Sequence, residues 1–272
     1  MVPARQIGIT APKGDRGLLK AMALYLNSDF VEYHQFLQSP QSGVDRLVNT
    51  LTALRSLPVP FEDPSSIEKW EALYSRISGD PERDDFDHMG FVGELNELAF
   101  DGLKLPSRAR AAVEDLVRIR LGLVQGKVEQ SAVRWPTKDE LAAYARSFRD
   151  ELDQFIGQSG STRHRVDVLA GGDSGLVMVD LVGEGGQRPI SIWDASEAGG
   201  RQLAETRRLL TERRAQWLYF NRNLRIYEGS RTYILKPLQR FHWTRTQAIQ
   251  DAAEIIADCL EPEPNLSRRT LN

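Results

Sequence analysis

Apolar residues recur every three or four positions through the first half of the chain and at every second position through much of the second. From Asp15 onward, Leu18, Met22, Leu26 and Phe30 stand at four-residue spacing, on one face of a helix. Ser39 to Gly43 breaks the pattern as a loop, and a second helical segment runs from Val44 to Leu57. Pro58 and Pro60 end it and favour an extended path. Ser65 or Ser66 is placed to cap the next helix, where Ile67, Trp70, Tyr74 and Ile77 share a face. Gly79 to Asp85 is a polar loop. Phe91, Leu95, Leu98 and Leu103 form a further stripe, and Leu105-Pro106-Ser107 restarts the chain into a helix through about Leu123. Ahead of these helices, Arg5 to Ala11 reads as a short strand ending at Pro12-Lys13-Gly14.

Thr137-Lys138-Asp139-Glu140 is a capping box, which opens a long helix with Leu141, Tyr144, Phe148, Leu152 and Phe155 on one face. Gly157 to Ser161 is a linker. The periodicity then changes. Arg165 to Leu169, Gly175 to Val182 and Pro189 to Trp193 read as three strands, separated by glycine-rich turns at 171–172 and 183–186. A charged helix follows from about Gly200 to Arg214, with Glu205 and Glu212 spaced to pair with its arginines. Trp217 to Phe220, Leu224 to Tyr227 and Arg231 to Leu235 are strand-like, and Glu228-Gly229-Ser230 supplies a tight hairpin turn. Thr244 to Gln247 opens a last helix with Ile249, Ala252, Ile256 and Leu260 on one face; the polar tail beyond it, through Asn272, is frayed. These elements predict an α+β protein. Residues 1–125 are mostly helical, 126–159 hold a bridging helix and linker, 160–262 form a small mixed α/β module with an antiparallel hairpin, and 263–272 are tail.

Length and composition narrow the picture modestly. A chain of 272 residues, 41% hydrophobic, can build two small cores. A net charge of −3 excludes a uniformly cationic surface and leaves room for a local basic face. The single cysteine, Cys259, excludes an internal disulfide, fits a reducing compartment, and is placed to pack as a small hydrophobe beside Ile256 and Leu260. No apolar run is long enough to span a membrane and the N-terminus lacks a secretory pattern, so a cytoplasmic protein is expected.

The chemical signal is basic and aromatic. Between Trp217 and Arg245 lie Arg222, Arg225, Arg231, Lys236, Arg240 and Arg245, against Glu228 alone. The same stretch holds seven aromatic residues, among them Tyr227 and Tyr233. Arginines on a hairpin contact phosphates or guanine edges, and aromatics stack on bases. Strand alternation suggests one hairpin face showing Arg225, Tyr227, Arg231 and Tyr233 together; a solvated sheet face backed by core aromatics is the plainer reading. Lys13 and Arg16, near the N-terminus, are further phosphate-contact candidates. Metal chemistry has little support, because His34, His88, His164 and His242 are not at ligand spacing. Asp167, Asp180 and Asp194 lie on or at the ends of predicted strands, the arrangement of a Mg-dependent nuclease, but no Glu-x-Lys accompanies them.

Four stretches of the first half carry a family resemblance. Leu26-Asn27-Ser28 is followed about thirty residues on by Leu57-Pro58-Val59-Pro60; then come Leu95-Asn96-Glu97-Leu98-Ala99-Phe100-Asp101 and Ala112-Val113-Glu114-Asp115. This order resembles the end of the target-recognition region of N6-adenine DNA methyltransferases, across residues 5 to 122. The resemblance implies double-stranded DNA and a methyltransferase catalytic subunit as partners, in a restriction-modification (type IIG-like) or phage-defence system. It also implies a missing half. Gly171-Gly172-Asp173-Ser174-Gly175 sits between strands rather than before a helix, which makes it a β-turn and a poor loop for S-adenosylmethionine, and there is no (Asn/Asp)-Pro-Pro-(Tyr/Phe) element to receive a flipped adenine. Asp63-Pro64 continues as Ser65-Ser66, which cannot stack. No catalytic, cofactor or metal residue is therefore expected, and S-adenosylmethionine belongs to a partner. The family's strand preceding these motifs lies mid-domain, so a split subunit, a truncated product or a free-standing derivative is expected. Three readings stand: a non-catalytic DNA-recognition or accessory component, a divergent Mg-dependent nuclease, and a protein-interaction module without DNA contact.

Overall fold

The computed structural model describes residues 9–11, 14–38, 51–61, 64–77, 86–124, 130–157, 162–171, 174–183, 189–194 and 223–260. The expected loops at 39–43 and 79–85, the helix at 200–214, the strand at 217–220 and the tail lie outside these residues, as do Lys13 and Arg222. The protein is mixed α+β, with helices in the N-terminal half and a five-stranded sheet in the C-terminal half. It divides into two units, Met1–Lys127 and Val128–Asn272. Among the described residues no helix is long and apolar enough to cross a membrane.

The first unit is helical. Asp15 caps α1 (Arg16–Tyr25), its Oδ1 accepting from the Leu18 amide at 3.0 Å. Three residues later α2 (Asp29–Gln38) begins. Leu51–Arg55 forms α3, the described part of the expected second segment. The following helix, α4 (Pro64–Ile77), starts at Pro64, ahead of the serines expected to cap it. Proline is favoured there because its missing N–H would be unbonded anyway. Next come α5 (His88–Gly102) and α6 (Ser107–Asp115). The chain continues through a π-helical turn, Leu116–Arg120, into α7 (Leu121–Val124). Ala21, Leu24 and Tyr25 of α1 meet Trp70 and Leu73 of α4 and Leu95 and Ala99 of α5 in one core. Its centre is a ring of edge-to-face aromatics, Tyr25, Phe61 and Trp70, with centroids 5.4 to 6.0 Å apart. The described residues Ile9 to Ala11, expected at the end of a strand, are not in one.

The second unit opens with α8 (Gln130–Val133) and α9 (Lys138–Ile156). The capping box closes: the Glu140 amide donates to Thr137 Oγ1 at 3.3 Å, and the Thr137 amide donates to Glu140 Oε2 at 2.8 Å. Expected as a bridge, α9 instead packs into this unit's core through Leu141, Tyr144, Phe148 and Leu152; Phe155 is half exposed. Strands β1 (Thr162–Gly171), β2 (Ser174–Gly183), β3 (Ile190–Asp194), β4 (Leu224–Glu228) and β5 (Arg231–Pro237) stand in the order β3-β1-β2-β5-β4. Only the β1–β3 pair is parallel. A last helix, α10 (Arg245–Leu260), follows a short 3-10 turn at Arg240–His242.

Alternation gives the sheet two unlike faces. Val166, Val168, Val177, Val179 and Ile234 face α9 and α10 and form the main core. On the other face, register lines up Leu224, Leu235, Leu176, Leu169 and Trp193 across all five strands. Four residues along, the same face carries Glu228, Arg231, Asp180 and Arg165 in a row of alternating sign.

The buried stripe of α10 is Ala248, Asp251, Ala252 and Ile255; of the expected face, Ala252 is buried and Ile256 packs partly buried against the core, but Leu260 does not join them. Leu260 is 68% exposed, and Cys259 is exposed rather than packed. Two alanines bring the helix close to the core, and Asp251 turns inward because it has a buried cation to meet. Simple apolar spacing does not register that pairing.

Candidate nucleic-acid interface

The hairpin proposed for DNA contact forms, with Gly229 at φ +58° in a two-residue turn. Its pairing is Glu228 opposite Arg231, Tyr227 opposite Thr232, Ile226 opposite Tyr233 and Arg225 opposite Ile234. Directly opposed residues share a face, so Arg225 and Tyr227 lie on the helix-facing side and Arg231 and Tyr233 on the other. The expected common face of four does not exist. A two-residue turn pairs odd positions with even ones, and counting along each strand separately hides that.

Each of these side chains has a partner. Arg225 pairs with Glu254, and its Nε stands 3.2 Å from Asp258 Oδ2. The Tyr227 hydroxyl donates to Asp258; burial and then that carboxylate hold its pKa well above the usual tyrosine value. Arg231 Nε reaches both oxygens of Asp180, at 2.9 and 3.0 Å. The Tyr233 hydroxyl donates to Glu228 Oε2 at 3.3 Å. Around the hairpin, two arginines thus meet three acids from distant elements, and a fourth acid, Glu228, takes the Tyr233 hydroxyl. The positive charge legible in the local sequence is cancelled by the fold. Arg16 is exposed in the first turn of α1.

Lys236 corrects the expectation most sharply. It is fully buried and its ammonium pairs with Asp251, itself 1% exposed. The Tyr144 hydroxyl donates to Asp251 Oδ2 at 2.5 Å, and Gln247 and Asn223 amides donate to Oδ1 at 2.9 and 2.8 Å. The ammonium also lies 4.3 Å from the Tyr144 ring centroid and 5.2 Å from that of Trp243. Gly175 opens this space: a Cβ there would stand 2.3 Å from the Trp243 ring. Lys236 therefore cannot reach DNA from this fold.

Arg240 sits in a different balance. Its Nε is 2.7 Å from Glu140 Oε1, and Arg134 makes a two-pronged bond to the same carboxylate at 2.7 and 2.8 Å. Partial burial pushes the Glu140 carboxyl up. The Arg134 and Thr137 hydrogen bonds and the charges of both arginines outweigh that and bring it down to about 2. Arg134 escaped the sequence reading because it stands a hundred residues from the basic stretch; its neighbours Trp135-Pro136 were the available signal.

The three strand aspartates do not converge. Asp167 and Asp180 share the face away from the helices, whereas Asp194, opposite Ala170, lies on the helix side. Arg231 holds Asp180, and Arg165 Nε is 3.0 Å from Asp167. Among the described residues no group of three or more His, Cys, Asp or Glu is placed to hold a metal ion.

In the first unit the resembling stretches meet. Leu26-Asn27-Ser28 is the joint between α1 and α2, with Asn27 donating to the Ala23 carbonyl at 2.8 Å. The Tyr25 hydroxyl, one residue earlier, donates to the Pro58 carbonyl at 2.5 Å. The start of α2 is capped from α5: the Asp29 amide donates to Asn96 Oδ1 at 2.8 Å. Pro60 lies so close to Gly102 that a Cβ there would stand 2.6 Å from it. Comparison with protein-family models, characterised proteins and solved structures finds no match.

Proposed function

We propose that this chain is a non-catalytic DNA-recognition or accessory component of an N6-adenine DNA methyltransferase, working in restriction-modification or phage defence. S-adenosylmethionine and the adenine pocket would then belong to the catalytic partner. The observation that carries this reading is the junction in the first unit. Leu-Asn-Ser, Leu-Pro-Val-Pro and the Leu-Asn helix lie far apart in sequence. Part-buried hydrogen bonds through Tyr25, Pro58, Asp29 and Asn96 tie their neighbourhoods together. Such mutual dependence is what a folding unit with those motifs requires. Exposed Met89 and Val92, one turn apart on α5, give this unit apolar surface for a partner. On the DNA side, Arg231 is 60% exposed and its ion pair is of the weak, solvent-screened kind, so a phosphate can compete for it. The test is duplex DNA affinity of the purified chain at low salt. Binding that weakens steeply with salt supports the reading, and no binding at any salt sinks it.

A second reading is favoured by one observation. The acids outnumber the arginines around the hairpin, which suits a protein-interaction module that never touches DNA. Charge reversal at Arg225 and Arg231 separates the two. Loss of DNA binding with the fold intact favours recognition, and no change favours the interaction module.

A further inference from the structure

The acid-rich hairpin has a counterpart of opposite balance where α8 and α9 meet the 3-10 turn before α10. There two arginines share one carboxylate. Arg134 bonds Glu140 and Arg240 Nε stands in ion-pair reach of it at 2.7 Å, and the chain segments that carry them are tied by the Arg240 amide donating to the Arg134 carbonyl at 2.9 Å. One positive charge is left over, while Lys138 and Asp139 cancel beside it. Next to Arg134 stands Trp135, 60% exposed, in a chain whose Trp70 and Trp243 are each 2% exposed. Trp135 is held rather than loose. Its carbonyl accepts from Arg134 Nη1 at 2.7 Å, Pro136 restricts its backbone, and the capping box of α9 begins one residue later.

An exposed indole on a restrained stretch of backbone, beside two guanidinium groups held at Glu140, suits a partner that offers a flat π-face and a negative charge together. We infer that Trp135, Arg134 and Arg240 form a binding surface for unpaired DNA, with a base stacked on the Trp135 ring and the adjoining phosphate on the arginines. This rests on the DNA reading above, in which the chain binds duplex, and adds to it a separate contact for unpaired DNA at this corner. An indole stacks only on a base whose face is free, so the surface discriminates against intact duplex. Arg134 and Arg240 stay pre-oriented because Glu140 holds them, and little side-chain freedom is lost on binding.

The test uses the full chain with a labelled single strand of about 15 nucleotides, and the same sequence as a duplex, at low salt. Trp135→Ala and Trp135→Phe separate stacking from shape, Arg134→Gln removes one guanidinium, and Arg231→Ala is the hairpin control. Thermal melting checks that each variant is folded; Trp135 is too exposed for its loss to open the core. The expected result is tighter binding of the single strand than of the duplex by the native chain. Trp135→Ala should then weaken single-strand binding about tenfold or more, the worth of one stacked base. Trp135→Phe should retain most of it, and Arg134→Gln should flatten the salt dependence. Native single-strand affinity in Trp135→Ala overturns the inference. If duplex binding then falls in Arg231→Ala, the DNA reading survives at the hairpin without this site. If the native chain binds neither oligonucleotide, the DNA reading fails and the site with it. If Trp135→Ala loses a protein partner while nucleic-acid binding is unchanged, the surface is a protein contact and the inference is wrong.

Discussion

Arg231 and Lys236 stand five residues apart on β5, and the fold uses them in opposite ways. Arg231 falls on the face turned away from the helices, largely in solvent, in a charge row with Glu228, Asp180 and Arg165. Lys236, of the opposite parity, points into the core beneath α9 and α10 and meets Asp251, Tyr144 and Trp243 there. Two cations that look alike in sequence thus differ by environment. One is an adjustable surface charge; the other is a fixed part of the interior. Counting charges along a segment treats them as equal, and only the register separates them.

The largest effect should come from breaking the interior pair. Asp251→Asn leaves the Lys236 ammonium buried without its counter-charge and should cost about 3–5 kcal/mol in denaturant unfolding of the second unit. Pairing Asp251→Leu with Lys236→Met should restore part of that loss, since two apolar side chains remove both buried charges while the Tyr144 hydroxyl loses its acceptor. A double variant as unstable as the single would show that the network acts through something other than charge balance.

Gly175→Ala attacks the same pocket sterically. The new methyl would run into Trp243, which lies beside the Lys236 ammonium, and overpacking of this kind costs about 1–3 kcal/mol. A near-native melting temperature with unchanged tryptophan emission would mean that the ring moves aside freely.

Glu140 lies between the two extremes, partly buried and shared by two arginines. Its folded pKa of about 2 lies below its ordinary value of 4.5. The carboxylate's stabilisation is therefore fully present above about pH 4.5 and is lost as pH falls toward 2. Glu140→Gln keeps a capping acceptor but removes the charge that Arg134 and Arg240 share, and should lower stability at neutral pH by about 1 kcal/mol. It should also flatten the acid limb of a melting-temperature profile. An acid limb identical to the native one would contradict the assigned partners.

Arg231→Ala should do least to stability, within about 0.5 kcal/mol, because exposed ion pairs contribute little. A loss several times larger would show that the alternating charge row holds the sheet together.

Much of the architecture is legible from local pattern. The start of α1 after Asp15, the Thr137–Glu140 box, the α9 stripe and all five described strands follow from rules that act within one turn or one strand. What escaped depends on pairing across the chain. The parity of the hairpin decides which of Arg225, Tyr227, Arg231 and Tyr233 share a face. A carboxylate fifteen residues downstream decides that Lys236 is buried and that the inner face of α10 rotates to include Asp251, leaving Leu260 and Cys259 outside. Arg134 joins Arg240 only through tertiary contact, so no window of sequence contains both. The stretches Leu26–Ser28, Leu57–Pro60 and Leu95–Asp101 were legible as words; their contact through Tyr25, Asp29 and Asn96 was not.

Affinity purification of the tagged full chain from its own host, with mass spectrometry of what accompanies it, tests the central claim most directly. A DNA-recognition or accessory component should bring with it, in comparable amount, a methyltransferase subunit bearing the glycine-rich turn and the (Asn/Asp)-Pro-Pro-(Tyr/Phe) element that this chain lacks. Methylation of adenine in DNA by the recovered complex should fall when the chain is omitted. A chain recovered alone that also fails to bind DNA at low salt would contradict the account.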